Sequence, residues 1–237
     1  RRAKVLARIG RTRSALVDLK SAIAHCPRFF EAFTERARIL ALQGRLADAK
    51  RDVAKALTQR PDYAKALSAR ALIAFHGGDL KAALKDLSMA LALDPWNDEV
   101  RAFRRNVSNA LKGPPWQRTH EEQTEHYVVR TNISSRRCAD YAQELEAIRT
   151  FYTQQFGGVE KTSDKALVYI FDTREGFQSY AQLTTDDRVE SLLGCFLPRY
   201  RQLLLYEDRD DPSLEETRRV LYHEAFHQFI SPLIPEM

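Results

Sequence analysis

The stretch GRLADAKRDVAKALTQRP, Gly44 to Pro61, returns 34 residues later as GDLKAALKDLSMALALDP, Gly78 to Pro95. The same offset aligns Gly10, Gly44 and Gly78; Ala15, Ala49 and Ala83; Leu19, Val53 and Leu87; Ala22, Ala56 and Ala90; and Pro27, Pro61 and Pro95. Stacked helical hairpins need such columns: Gly closes a tight turn, Ala lets helices touch, and Pro breaks the chain between units. The first half therefore predicts an α-helical repeat array.

Working outward, Trp96 to Lys112 (WNDEVRAFRRNVSNALK) predicts a closing helix, with Asn97 or Asp98 as N-cap, Glu99 in the first turn and cations later. Gly113-Pro114-Pro115 must end it and start an extended linker. Charge divides at the same seam. Through Gly113 there are 23 Lys and Arg against 11 Asp and Glu, and beyond it 14 against 21, so fields of +12 and −7 underlie the net +5. Two domains are expected, 1–112 and 125–237, joined by a linker over 113–124.

With Phe33 or Leu67 at the aromatic position, Ala37 and Ala71 at the small one, and the columns above, the chain to about Pro95 resembles the tetratricopeptide repeat (TPR) family. Arg36 and Arg70 stand where that family places an apolar residue, and the first repeat lacks its opening turn, so more repeats are expected upstream. The resemblance implies a right-handed helical solenoid that docks a protein on its concave face, here lined by Lys4, Arg8, Thr34, Arg38, Lys65, Ser68 and Phe75. Such a basic surface selects an acidic protein or peptide. The alternative is a spacer, or an array packed on its own second half. No RNA-binding motif or aromatic stacking series accompanies the basic strip, so nucleic acid is not the expected partner.

A chain that is 44% hydrophobic and 29% charged has the composition of a globular protein. Its apolar runs, such as Ala166 to Phe171, fall far short of the 18 to 20 residues or so that a membrane-spanning helix needs. Cys26, Cys138 and Cys195 are far apart and form no C-x-x-C pair, which argues against a disulfide framework or a cysteine zinc knuckle. Free thiols and protein docking favour the cytoplasm, although Asn106-Val-Ser108 and Asn132-Ile-Ser134 would be glycosylation acceptors in a secreted chain. Beginning at Arg1 and stopping at Met237, the sequence reads as a segment of something longer.

The second half alternates strands and helices. Glu125 to Thr131 predicts a strand, Arg137 to Phe156 a helix stopped by Gly157-Gly158, Lys165 to Phe171 a more buried strand, and Thr173 to Leu183 a second helix. Gly194 to Leu197 and Gln202 to Tyr206 predict a hairpin. The acidic loop Glu207 to Pro212 lacks the spacing and Gly of a calcium loop. Ser213, with Glu216 three residues on, carries a capping-box signature and opens the last helix.

That helix contains His223-Glu224-Ala225-Phe226-His227. Histidines four apart share a helical face, so both imidazoles can converge on one Zn²⁺, and Glu224, one step round, can act as general base on a water at that metal. Zinc lowers the water's pKa toward about 7 and polarises a carbonyl; the carboxylate passes the proton to a leaving amine. This is peptide-bond hydrolysis chemistry, with a polypeptide as substrate. The bland alternative is a helix with two surface histidines beside a glutamate.

The strand-helix order, the Gly194-Cys-Phe and Leu203-Leu-Leu-Tyr206 strands and HEAFHQF together resemble the gluzincin-like, peptidase MA-like domains that follow TPR arrays, an α+β zincin-like fold. The resemblance implies zinc held by His223 and His227, catalysis by Glu224, and an edge strand, Gly194 to Leu197 or Leu203 to Tyr206, along which extended substrate pairs. Tyr222 and Gln228 are left as packing or supporting residues. Gluzincins take their third ligand from a Glu on the following helix, expected here beyond Met237; Glu236 has the wrong spacing. Ile230 and Leu233 occupy the Gly and His positions of metzincins, which excludes that class. The rival reading is a non-catalytic TPR scaffold carrying an inactive peptidase-like domain.

Overall fold

The computed structural model describes residues 2–3, 10–157, 165–184, 193–208, 210 and 213–231. The chain divides into two compact units, one up to Leu111 and one from Lys112. Together they combine a helical unit with a mixed α/β unit, and among the described residues no helix is long and apolar enough to cross a membrane.

The first unit contains α1 (Thr12–His25), α2 (Phe30–Leu42), α3 (Leu46–Gln59), α4 (Ala64–His76), α5 (Leu80–Leu93) and α6 (Asp98–Lys112). Helices α1, α3 and α5 start at 34-residue intervals, as do α2, α4 and α6. The turn glycines have a conformational cause. Gly44 sits at φ +73° with open space where a Cβ would be, so backbone handedness rather than room demands glycine. It ends α2 in a Schellman motif, with Arg45 N–H donating to Leu40 O at 2.9 Å and Gly44 N–H to Ala41 O at 3.1 Å. Ala15, Ala49, Ala56 and Ala83 are fully buried where helices meet. Asn97 is the cap of α6, its Oδ1 accepting from Val100 N–H at 3.1 Å.

The arginines that break the apolar pattern belong to a ladder of their own. Arg36 forks onto Asp52 through Nε–H and an Nη2–H at 2.6 and 2.7 Å, and Arg70 onto Asp86 at 2.7 and 2.7 Å. One period upstream, Arg2 Nε lies 3.2 Å from Asp18 Oδ2. The Asp52 and Asp86 side chains are only 6% and 8% exposed, and the hydrogen bonds that each guanidinium donates to its aspartate hold its pKa above the usual arginine value. The Arg36–Asp52 and Arg70–Asp86 pairs join the first helix of a hairpin to the second with a bidentate geometry that lysine could not reproduce.

The second unit contains β1 (His120–Gln123), β2 (Tyr127–Thr131), α7 (Ser135–Phe156), β3 (Ala166–Phe171), α8 (Arg174–Thr184), β4 (Gly194–Leu197), β5 (Gln202–Tyr206) and α9 (Glu215–Ile230). Its sheet runs β1-β2-β3-β5-β4, with β2, β3 and β5 parallel and both outer strands antiparallel to their neighbours. On one face α7 and α9 cover Val129, Val168, Ile170, Leu203 and Leu205; on the other α8 covers Tyr169, Phe171, Leu204 and Tyr206. Because both faces are covered, the central strands are apolar at nearly every position instead of alternating.

Two expectations are corrected. The 113–124 segment is not simply an extended linker: His120 to Gln123 pairs with Val128 to Thr131 as an edge strand, and Trp116 packs edge-on to Phe171 with ring centroids 4.9 Å apart. His-Glu-Glu-Gln lacks the apolar alternation that would mark a strand, because an exposed edge needs none. Ser213 is not the N-cap of the last helix either. The N-cap of α9 is Leu214, buried and left-handed at φ +58°, while Ser213 Oγ accepts from Glu215 N–H at 3.3 Å and Glu216 pairs with Arg219.

Replacing Asp52 by Ala leaves the Arg36 guanidinium without its fork and should cost about 2–3 kcal/mol, measured by urea denaturation followed by circular dichroism. The double replacement Arg36→Met/Asp52→Leu should recover most of that loss, since two apolar side chains need no ionic partner.

Candidate active site on helix α9

Helix α9 owes its orientation to residues spaced four apart. Thr217, Leu221, Ala225 and Phe229 are buried, and Leu221 and Ala225 join the core formed by α7 and the sheet. At 100° per residue this anchoring turns His223 and His227 to the opposite side, while Glu224 and the Tyr222/Phe226 pair occupy the two flanks. The Phe226 flank meets α7: Tyr152 packs on Phe226 with centroids 5.2 Å apart and donates its hydroxyl to Tyr222 O at 3.0 Å.

On the outward side the two histidine rings converge. Their Nε2 atoms are 3.0 Å apart, with centroids separated by 4.6 Å and planes at 82°. At this distance a ring that carries its proton on Nε2 can donate it to the Nε2 lone pair of the other. The separation also approaches the spacing of about 3.3 Å that two nitrogens take on one tetrahedral zinc at about 2.05 Å each. The donor set thus fits a zinc ion as a pair. Among the described residues no third His, Cys, Asp or Glu joins them, and Glu236 lies outside those residues.

Glu224 faces the outer strand. Its Oε2 accepts the backbone N–H of Phe196 at 2.8 Å, and its other oxygen takes no hydrogen bond among the described residues. Phe196 stands opposite Leu203, yet its N–H points to the open edge of β4 rather than to β5. Of the two candidate substrate edges, Gly194 to Leu197 is the one that no second strand covers among the described residues, whereas β5 is paired on both sides. Cys195 lies beneath this edge; burial, reinforced by the Glu224 charge, pushes its thiol up to about 12. Burial likewise pushes the Cys138 thiol up to about 11.

Residues overlooked in the sequence support the helix from behind. Tyr127 donates its hydroxyl to Gln228 Oε1 at 3.2 Å, and the Arg149 guanidinium lies over the Phe229 ring at 5.8 Å. Tyr127 and Gln228 are 101 residues apart, so no local pattern could couple them. In the first unit the expected groove lining is corrected. Thr34 and Phe75 are buried, Thr34 bonded to Phe30 O and Phe75 packed on Phe103, whereas Lys65 is exposed and Arg38 lies 3.7 Å from Glu35. Lys4 and Arg8 lie outside the described residues. Compared with known proteins, the chain matches no family model and no curated sequence significantly.

At pH 8, iodoacetamide should label the exposed Cys26 at least about 100-fold faster than Cys138 or Cys195, because only the thiolate reacts. Removing the charge in Glu224→Gln should raise the Cys195 rate and leave Cys138 unchanged, as read by peptide mass spectrometry.

Proposed function

We propose that α9 and β4 form the catalytic face of a zinc-dependent peptidase of the gluzincin-like type, attached to a TPR-like array that docks a partner protein. The observation that carries this reading is the convergence of His223 and His227 on one point while Glu224, on the adjoining flank, is tethered to an open strand edge.

In this reading His223 Nε2 and His227 Nε2 hold the ion, and zinc, when bound, supplies Lewis acidity toward water and the scissile carbonyl. Glu224 takes the proton of the attacking water and delivers it to the leaving amine nitrogen. An extended polypeptide lies along β4, where main-chain pairing accepts many side-chain sequences. The array contributes a strongly cationic unit, so its docking partner is an acidic protein or peptide. The repeating hairpins and their Arg–Asp ladder support an extended, regular platform for that partner.

Zinc analysis of the full-length protein should find one ion per chain after dialysis, lost in both His223→Ala and His227→Ala. Glu224→Gln should retain the zinc yet lower kcat on an unstructured protein substrate by about 10²- to 10⁴-fold, with KM changed little. A chain that binds no zinc at saturating metal, or whose hydrolysis survives Glu224→Gln, would instead be a scaffold with an inert peptidase-like unit.

A further inference from the structure

Helix α9 passes over β4 at a residue without a side chain, Gly194. A Cβ built on Gly194 would lie 2.8 Å from Val220 Cγ1, 3.0 Å from Leu204 O and 3.1 Å from Leu205 Cβ. A side chain there forces the Val220 side chain, the helix or the strand to shift. Val220 precedes Glu224 by one helical turn, and Gly194 precedes Phe196 by one strand repeat. Four helical residues rise about 6 Å and two strand residues advance about 6.7 Å, so the two steps nearly coincide. Seating Val220 on Gly194 therefore brings Glu224 level with Phe196, where its carboxylate takes the edge N–H at 2.8 Å.

We propose that Gly194 is a positioning residue for the reaction: by letting α9 rest directly on β4, it sets the helix-to-edge distance that holds the Glu224 carboxylate against the Phe196 amide. The inference rests on the reading of Glu224 as the proton-carrying carboxylate. Its structural half, that Gly194 sets the distance and Phe196 N–H reports it, can be measured without any activity.

Gly194 has no side chain to offer a metal or a substrate, and Gly194→Ala leaves its main-chain N–H and C=O on the proposed substrate edge, so substitution should act through the separation alone. Gly194→Ala pushes α9 outward, lengthens the Glu224–Phe196 contact and leaves His223 and His227 together on their own helix. Val220→Ala in the same chain removes the Cγ1 atom that the new Cβ strikes and lets the helix settle again.

The test combines amide hydrogen exchange at Phe196, measured by NMR on the full chain, with zinc content and kinetics. In the wild type the edge-facing Phe196 amide should exchange at least about 10-fold more slowly than in Glu224→Ala, which removes the acceptor without touching the packing. Gly194→Ala should lose this protection, keep its zinc and lower kcat about 10- to 100-fold at little changed KM. Gly194→Ala/Val220→Ala should regain both protection and rate. The proposal is overturned if Gly194→Ala retains Phe196 protection, or if Val220→Ala fails to restore it, including the case in which the single variant unfolds and the double variant does not refold. Should protection follow the predicted order while no variant hydrolyses protein, the positioning role stands and the peptidase reading falls.

Discussion

The second unit depends on how α9 is held down. Leu221 and Ala225 bury one stripe of the helix against α7 and the sheet, and a helix with one stripe buried has no rotational freedom left. Everything chemically interesting on α9 follows from that stripe. The histidines face outward because they lie about half a turn from it; Glu224 meets β4 because it lies on one shoulder; and the aromatic pair Tyr222 and Phe226 meets α7 because it lies on the other.

The first unit depends on a different kind of constraint, one repeated rather than centred. Each hairpin packs apolar residues such as Phe33, Leu40, Val53 and Ile73 around buried alanines, and such burial is not itself directional. The forked Arg–Asp pair between the first and second helices, formed 16 residues apart in sequence, admits one register. A partly buried ion pair adds little net stability compared with apolar packing, but its directional bonds discriminate against a slipped arrangement. In a repeat array a slip in one hairpin would propagate to the next, so a register device recurring with the repeat is physically apt.

Most secondary structure was legible because its signals are local. The period-34 columns, the cap at Asn97, the Gly157 stop and the apolar runs of β3 and β5 lie within a few residues of what they specify. The failures share a cause. Strand β1 is polar because it is an exposed edge, Leu214 replaces Ser213 as cap because its side chain is drawn into the interior, and Thr34 and Phe75 are consumed by packing instead of lining a groove. The ladder has a local signal of its own: Asp18, Asp52 and Asp86 share the 34-residue offset with Arg2, Arg36 and Arg70, an acidic column that matches the basic one.

Sequence alone determined that two histidines and a glutamate share a helix, since that follows from spacing and from 3.6 residues per turn. It also determined the helical repeat, because a period is a property of the chain. Only the tertiary structure decided which flank of α9 meets the strand edge, that β4 rather than β5 is that edge, and that Phe196 N–H receives Glu224. Those outcomes depend on where residues distant along the chain come to rest, and a contact such as Val220 over Gly194 is encoded by the absence of a side chain, which no local pattern announces.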